Sequence, residues 1–543
     1  MSSRYDPKAV EVKWQERWDR QRAAEVDLRH AEGKEYLLVD PALRHTGRLD
    51  GGQGRTDVLG DALFRFFRMS GRKVFSPVIK GRREQLRRFG ILHDWTKEVD
   101  PAAPETWRWS QWLFVRLLEK KLAYEDGGRW YFRVTAYADR LLAGLDGLAG
   151  WPARLKAEQR HWLTAHRRDW LVSNLVSNET GGGTPIPLVI CAKHGTVALP
   201  DLALPALPAR PAAEAPCPRC NKPARRVAGS LDPRLADALS CLRHLSPRDA
   251  SRLVDPEVAR RWLPVDRYLC AAGASMLPLL HARFLGYALH DLGAVVVEEP
   301  FAGVILVGKV SAGTEETGTS ETLATFSADT ERICTLFLAP PERAAEWSGE
   351  AVAGAHRFLQ RVWRLGSALH EAPPTAPADG ELERRRQIAV ERVTRSFRRC
   401  RLNTAVAALM ELASSLSQAL EGQTASRLRC DETFDTLLQL LHPLAPHMTE
   451  ELWERRDHVE TLLDTSWPEY DESKLRRPRV RWAVQVDGRM HGRVDVQADA
   501  SEKETRAAVL ASPRIKEHLA GREVAKAVFV PGRLINLVTR RSV

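Results

Sequence analysis

The sequence has few cysteines and lacks a long apolar run. Nothing in it approaches the roughly 20 apolar residues of a membrane-spanning helix, and residues 1–18 are charged, with no apolar signal segment. Eight cysteines spread over 543 residues do not form a disulfide framework, which favours a reducing compartment. We therefore predict a cytoplasmic protein of several domains that does not interact with membranes, and we expect a monomer.

Acidic residues are outnumbered by basic ones. The chain has 81 lysines and arginines against 70 aspartates and glutamates, a net charge of +11. Such a balance is typical of proteins that bind a polyanion, although an arginine-rich solvated surface explains the composition nearly as well.

A strand, a glycine-rich loop and a helix are predicted between residues 36 and 71. The apolar run 36–39 predicts a buried strand, and Leu59, Ala62, Leu63 and Phe66 lie on one face of an amphipathic helix. This order is the first crossover of a nucleotide-binding α/β fold.

Two pairs of soft metal ligands are separated by a proline-rich segment. Cys191 and His194 form the first pair, and Cys217 and Cys220 form the second. Each pair can turn its donor atoms toward one tetrahedral ion, so we predict a structural Zn²⁺ site. Four protein ligands leave no open position for catalysis. The alternative is a set of reduced cysteines beside a chance histidine.

The glycine-rich loop and its helix resemble those of class I leucyl-tRNA synthetases. The positions that carry this resemblance are Gly47, Leu49, Gly52, Asp61, Arg65, Arg68, Met69 and Gly71. Similarity is also found in the first eighteen residues, in residues 85–163 and in much of the C-terminal third. The resemblance implies an α/β fold, namely a Rossmann-like class I synthetase core with a zinc knuckle insertion, followed by an α-helical anticodon-binding-type bundle and a small α+β C-terminal domain.

The resemblance also implies domain boundaries. Residues 1–187 would form the N-terminal helix and the first half of the core with its connective helices, 188–226 the zinc knuckle, 227–330 the second half of the core, 331–475 the bundle, and 476–543 a C-terminal tRNA-binding domain. The family inserts a large editing domain in the first half. Here the chain passes directly from Leu163 to Arg168, so the editing domain is absent near residues 164–168.

The departures from the family fall on its ATP and amino-acid elements. The HIGH signature, whose histidines contact ATP phosphates, is replaced by residues 50–53, Asp-Gly-Gly-Gln. A carboxylate facing polyphosphate in a partly dry site costs on the order of several kcal/mol. The KMSKS loop is reduced to Lys309 and Ser311, and the segment that holds the amino group of free leucine has no counterpart. We therefore predict a synthetase paralog that does not require ATP.

Three functions are compatible with this pattern. The first is an aminoacyl-tRNA-dependent transferase that passes leucine from leucyl-tRNA to a small-molecule amine, in specialised metabolism such as antibiotic biosynthesis. The second is a catalytically silent, regulatory tRNA-binding protein. The third is a leucine-tRNA ligase with unconventional motifs.

A transferase needs a base, an anchor for the amine and donors for the oxyanion. The candidate bases or anchors are Asp40, His45, Asp50 and Asp57. The candidate donors are Gln53 and Arg55. Each could instead be an ordinary surface residue, and Thr56 or Asp57 could cap the helix that follows.

The tRNA-facing parts implied by the resemblance are basic. In the bundle the candidates for phosphate contact are Arg395, Arg398 and Arg399. In the C-terminal domain, which resembles the module that grips the tRNA elbow, they are Arg489, His491, Arg493, Lys526 and Arg533. Such a run of arginines is otherwise a solvated helix face.

Overall fold

The computed structural model describes twelve stretches of the chain. They are residues 5–40, 51–101, 103–174, 184–200, 214–273, 275–312, 326–376, 379–475, 479–497, 500–519, 522–530 and 533–541.

Helices occur in both the N-terminal and the C-terminal parts of the described chain. They are α1 Pro7–Gln21, α2 Gly51–Met69, α3 Arg83–Arg88, α4 Pro104–Glu119, α5 Ala138–Gly147, α6 Ala153–Ala165, α7 Pro233–Arg243, α8 Pro256–Trp262, α9 Met276–Asp291, α10 Ala328–Phe337, α11 Gly349–Ala368, α12 Asp379–Arg398, α13 Leu402–Glu421, α14 Arg427–Leu441, α15 Pro446–Glu454, α16 Glu502–Ala511 and α17 Pro513–Leu519. Short 3₁₀ turns include Trp95–Lys97 and Val134–Tyr137. No helix among the described residues is both long enough and apolar enough to span a membrane.

The strands are short apart from those of the C-terminal module. They are β1 Lys34–Val39, β2 Lys73–Phe75, β3 Ala123–Asp126, β4 Arg129–Phe132, β5 Trp170–Leu171, β6 Ser173–Asn174, β7 Thr184–Pro185, β8 Leu188–Cys191, β9 Gly195–Ala198, β10 Glu214–Pro216, β11 Pro223–Arg226, β12 Ser230–Leu231, β13 Arg267–Ala271, β14 Val304–Val307, β15 Val310–Ala312, β16 Ala345–Trp347, β17 Arg479–Val486, β18 Arg489–Gln497, β19 Arg522–Val530 and β20 Leu534–Arg541.

A parallel sheet of order β14-β13-β1-β2 organises the core. The predicted strand is β1, and its residues Tyr36, Leu37 and Leu38 are buried. Buried strands with apolar side chains on both faces are the pattern that a parallel sheet covered by helices requires. The β1-α2-β2 crossover runs to one side of β1, whereas β13 pairs with its other side. The strand order therefore reverses beside β1.

The predicted amphipathic helix is confirmed as α2. It begins before Thr56 and Asp57, the two residues that could have capped it. Leu59, Ala62, Leu63 and Phe66 are all buried. Because the helix starts at Gly51, Thr56 and Asp57 lie inside it, and neither caps it. A Cβ on Gly60 would lie 3.1 Å from Val39 Cγ2, so this glycine allows α2 to pack closely on β1.

The connection at the predicted editing-domain position is short. Helix α6 ends at Ala165 and β5 begins at Trp170, with Arg167 in the left-handed region at φ 35°. No domain is inserted at this point.

The chain divides into two compact units. The first comprises residues 1–368, 393–413 and 434–468, and the second comprises residues 369–392, 414–433 and 469–543. The helical region predicted at 331–475 contributes to both units.

The C-terminal module of the second unit contains a sheet of order β18-β17-β20-β19. Helices α16 and α17 cover one face, around a core that includes Trp482, Val484 and Ile515. The hairpin predicted at Asp487 and Gly488 is confirmed, since both residues have the positive φ that such a turn needs (49° and 82°).

Candidate functional site

The candidate site lies at the carboxyl ends of β1 and β13, where the strand order reverses. Open α/β sheets bind ligands at this point because the connecting loops diverge there and leave a crevice. Asp40 directly follows β1, and its backbone N–H donates to the carbonyl of Leu269 on β13 over 2.8 Å. Two adjoining cavities share Leu38 and Asp40 in their walls.

The first cavity, of about 50 Å³, is lined by carboxylates and by apolar side chains. Asp40 comes from the end of β1 and Asp237 from α7, whereas Leu279 and Ala282 come from α9. Asp237 is buried and Asp40 is half-buried.

Tyr268 on β13 interacts electrostatically with both carboxylates. Its hydroxyl is buried, and its ring stacks on Phe301 with centroids 4.2 Å apart. Burial, together with the negative charges of Asp40 and Asp237 and a hydrogen bond to Asp40, raises the pKa of Tyr268 well above its usual value. The phenol is therefore a neutral donor at physiological pH, and Asp40 accepts its hydrogen bond.

The other polar side chains in this wall are Arg234 and His281. Arg234 Nε donates to Asp232 Oδ2 over 2.8 Å, so this guanidinium has its own carboxylate. His281 is 6% exposed and stacks on Trp170 with ring centroids 4.0 Å apart. Burial lowers the pKa of His281 to about 3, so the imidazole is neutral. Its Nδ1 has no hydrogen-bond partner within the described part of the chain.

The second cavity has a more polar wall, which contains Asp40, Asp57, Arg82, His93 and His244 beside apolar side chains. Asp57 is fully enclosed and forms an ion pair with Arg82. Burial raises the pKa of Asp57, and the charge of Arg82 opposes that rise. Burial remains the larger effect, and the ion pair with Arg82 offsets only part of it.

His93 and His244 are neutral imidazoles, because burial lowers the pKa of each to about 4. His244 Nδ1 lies 2.9 Å from the carbonyl of Lys97, which only an N–H can satisfy. Nδ1 therefore carries the proton, and Nε2 presents a lone pair. Among the described residues this Nε2 has no partner, and its side chain lines the cavity.

The residues predicted from the sequence have different outcomes. Asp40 and Asp57 line the cavities. Arg55 does not, because its guanidinium donates to the carbonyls of Ala339 and Arg343 over 2.6 and 2.7 Å. These bonds give Arg55 a role in joining two segments of the chain and occupy the nitrogens that an oxyanion donor needs. His45 and Asp50 lie outside the described residues, as does the side chain of Gln53.

Four residues that line the cavities were missed, namely Asp237, His281, His93 and His244. Asp237 lies in residues 231–243, a segment whose departure from the resembling family is itself a signal. His93 and His244 stand in apolar surroundings in the sequence, and that pattern is more typical of ordinary core histidines.

The predicted metal ligands converge. The ligand atoms of Cys191, His194, Cys217 and Cys220 all lie within 4.8 Å of one another. Cys191 Sγ is 3.7 Å from both His194 Nδ1 and Cys220 Sγ. A tetrahedral ion with bonds of about 2.3 Å to sulfur and 2.0–2.1 Å to nitrogen holds its ligands about 3.6–3.8 Å apart. The donor set and its spacing therefore fit Zn²⁺.

The predicted phosphate-binding residues are mostly exposed. Arg395 and Arg398 lie in the last turn of α12, and Arg399 follows them. In the C-terminal module Arg489, Arg493, Lys526 and Arg533 are exposed, and His491 is half-buried with its ring 4.4 Å from that of His518.

Residues 379–506 match the anticodon-binding domain of tRNA ligase. The chain is 25% identical to the leucine--tRNA ligase of Syntrophobacter fumaroxidans, over 99% of this chain and all of that protein. The leucine--tRNA ligase of Halorhodospira halophila gives the same identity, with the same coverage of both chains.

Solved structures show the same fold. The ternary complex of Agrobacterium radiobacter K84 agnB2 LeuRS with tRNA and LeuAMS superposes with a TM-score of 0.82 and 20% identity, and covers 99% of this chain and 100% of that one. Methionyl-tRNA synthetase of Mycobacterium tuberculosis, bound by methionyl-adenylate, superposes with a TM-score of 0.56 and 14% identity. This match covers 78% of this chain and 94% of that one.

The chain is similar to leucine--tRNA ligases along its whole length. Its class I synthetase fold confirms the predicted α/β architecture. The alignment with the Syntrophobacter protein extends over 829 positions, whereas this chain has 543 residues. The synthetase-like chain therefore spans the ligase from end to end but lacks long internal segments, in agreement with the direct connection from α6 to β5.

Proposed function

We propose that this protein transfers leucine from leucyl-tRNA to a small-molecule amine without using ATP. The observation that carries the proposal is the wall of the crevice at the carboxyl ends of the sheet. In this synthetase fold the crevice is lined by the carboxylates of Asp40 and Asp237, and by Asp57 in its ion pair with Arg82. Carboxylates repel a polyphosphate and attract an ammonium group.

The reaction needs no energy input, because the ester of an aminoacyl-tRNA is already activated. The acceptor ammonium gives one proton to a base, and the freed nitrogen lone pair attacks the ester carbonyl carbon. A carbon–nitrogen bond forms. The bond between that carbon and the ribose oxygen then breaks, and the ribose oxygen takes the second proton released by the nitrogen. The products are an amide and uncharged tRNA.

The described residues supply acceptor atoms for the amine. Asp40 lies in the walls of both cavities, and His244, whose Nε2 has no partner among the described residues, lines the second one. Holding the amine beside the ester lowers the entropic cost of the encounter, and a positioned base contributes about 10²- to 10⁴-fold. His45 and Asp50 remain proposed as further bases or anchors, and Gln53 as an oxyanion donor.

The test supplies preformed leucyl-tRNA with a panel of amines, while apyrase removes ATP. We expect a leucylated amine, detected by mass, and we expect Asp40→Asn to slow its formation by about 10²-fold or more. Asp146→Asn is the matched control, because this carboxylate is 76% exposed and bound to Arg160 at the surface. Unchanged leucyl-tRNA with every amine, or with an extract of the producing cells, would favour a silent tRNA-binding protein instead.

We propose that tRNA is held through phosphate contacts on the basic surfaces. The matched anticodon-binding domain and the tRNA of the agnB2 LeuRS complex support this partner. In the C-terminal module, Trp482 and Val496 pack toward the helices, so the alternation of strand residues turns Arg493 to the opposite, open face. Lys526 pairs with Val538, whose side chain is 37% exposed.

Binding of tRNA is expected to depend steeply on salt. With six to ten phosphate contacts, affinity should fall by about 10³-fold or more between 50 and 200 mM salt. Arg493→Gln with Lys526→Gln should reduce the slope of log affinity against log salt by about two. Lys503→Gln, an exposed position on α16, should leave the slope unchanged. Filter binding measures all three, and equal slopes would remove this face from the proposed interface.

We further propose that Cys191, His194, Cys217 and Cys220 hold one structural Zn²⁺. The spacing of their ligand atoms supports the proposal. Four ligands close the coordination sphere, so this ion would stabilise the knuckle and take no part in the transfer.

A further inference from the structure

We propose that the cavity bounded by Asp40, Asp237 and His281 is a binding site for a primary ammonium group on a short aliphatic chain. The proposal rests on the proposed function only for the identity of the molecule that carries the ammonium group. Binding of the ammonium itself can be measured without any transfer.

Three elements bring the polar atoms of this cavity together. Asp40 ends β1, Asp237 lies on α7 and His281 lies on α9, and all three face the same space. An ammonium group has three donors and no acceptor, so it matches a wall of carboxylate oxygens and an imidazole nitrogen. Bonds from ammonium to carboxylate are charge-assisted and are roughly twice as strong as neutral ones.

His281 supplies the independent sign that a ligand belongs here. His281 is only 6% exposed, and its Nδ1 has no hydrogen-bond partner among the described residues. An unsatisfied buried nitrogen is costly, and a donor or acceptor placed in the cavity would remove that cost. The ring itself is held in place by its stack on Trp170.

Size and lining define the rest of the ligand. A volume of about 50 Å³ accommodates only a few water-sized groups, which limits the buried part to an ammonium and a short carbon chain. Leu38, Leu279 and Phe301 provide apolar walls for that chain. Such walls disfavour a metal ion, which would carry water molecules with it.

The positive charge of Arg234 does not cancel the attraction between the carboxylates and an ammonium group. Arg234 lines the cavity, but its guanidinium is half-exposed and bound to Asp232. The charge of Arg234 is therefore neutralised by Asp232 and screened by water. Asp237 is only 9% exposed, so water screens its charge much less.

Two molecules of the proposed reaction carry such a group. One is the leucyl ester, whose α-ammonium is followed by an isobutyl chain, and the other is the acceptor amine. The shared chemistry is a primary ammonium beside a short aliphatic chain, and competition between them separates the two sources.

The experiment measures binding of 3-methylbutylamine to the full chain by calorimetry, with 3-methylbutan-1-ol as the uncharged control. We expect the amine to bind and the alcohol to bind at least tenfold more weakly. Asp237→Asn should weaken amine binding by roughly ten- to a hundredfold, and Asp146→Asn should not change it. Equal binding of amine and alcohol, or unchanged binding by Asp237→Asn, would overturn the proposal.

A second variant guards against a folding defect. His281→Phe keeps an aromatic ring against Trp170 and removes Nδ1, so it should fold and bind the amine about three- to tenfold more weakly. If circular dichroism shows that Asp237→Asn is unfolded, this variant decides the question, and wild-type affinity would then overturn the proposal.

A tRNA carrying leucine through a stable amide bond then identifies the source. Loss of amine binding when this tRNA is saturating assigns the cavity to the leucyl group, and retained binding assigns it to the acceptor. Amine binding without any transfer activity would refute the proposed function and leave the ammonium site standing. Transfer that is insensitive to Asp237→Asn would refute the ammonium site and leave the proposed function standing.

Discussion

Asp61→Asn is expected to lower the free energy of unfolding by about 3–5 kcal/mol, because it leaves two buried guanidinium groups without their carboxylate. Asp61 Oδ2 accepts from Arg65 Nε at 2.9 Å and from Arg332 Nη2 at 2.5 Å, and all three side chains are inaccessible to solvent. Its Oδ1 accepts from the N–H of Leu92 at 2.8 Å. Burial would raise the pKa of Asp61, but the two arginines and this N–H lower it below the usual value.

The measurement is chemical denaturation followed by tryptophan fluorescence. Asp139→Asn is the control, since its carboxylate is 91% exposed and lies 3.3 Å from Arg167 at the surface. An exposed pair of this kind should change stability by less than about 0.5 kcal/mol. Equal stability of the two variants would contradict the role given to this buried cluster, which ties α2 to α10 in the first unit.

Cys217→Ser is expected to abolish metal binding and to unfold the knuckle formed by β8–β11. The buried apolar cluster of this segment contains only Val189, Cys191, Val197, Leu199, Ala215, Cys217 and Ala224. So small a core does not stabilise a fold alone, whereas structural Zn²⁺ contributes an apparent 10–16 kcal/mol at pH 7 in zinc-finger peptides. Removal of one ligand should therefore have a large local effect.

Elemental analysis and hydrogen exchange report this result. We expect one zinc per chain in the wild type, close to none in Cys217→Ser, and fast exchange over residues 188–200 and 214–226 in the variant. Cys400→Ser is the control, because Cys400 lies outside the four-ligand group. A zinc-free wild-type protein with slow exchange in the same segments would show that the cysteines need no metal.

Much of the fold follows from local pattern. The apolar run of β1, the amphipathic face of α2 and the Asp487-Gly488 turn all depend on neighbouring residues, and the structure confirms them. The start of α2 could not be located, because the glycines at 51, 52 and 54 favour a loop by composition while the structure continues the helix through them. A capping role for Asp57 was wrong for that reason.

The site could be predicted only in part. Asp40 was found because it lies at the start of the loop whose sequence departs from the resembling family. Only tertiary packing brings the other residues to the crevice. Asp237 lies on α7, His244 directly follows α7, and His281 lies on α9. Arg55 was misread for a related reason. Its partners are backbone carbonyls nearly three hundred residues away in the chain, which no local pattern reveals.

The proposed function requires that this synthetase fold no longer activates leucine with ATP. Leucine-dependent exchange of labelled pyrophosphate into ATP tests it most directly, with tRNA present and a leucine--tRNA ligase as the positive control. We expect exchange no faster than the protein-free blank, at any leucine or magnesium concentration. Exchange above the blank that requires leucine would refute the proposed function and identify the protein as a ligase.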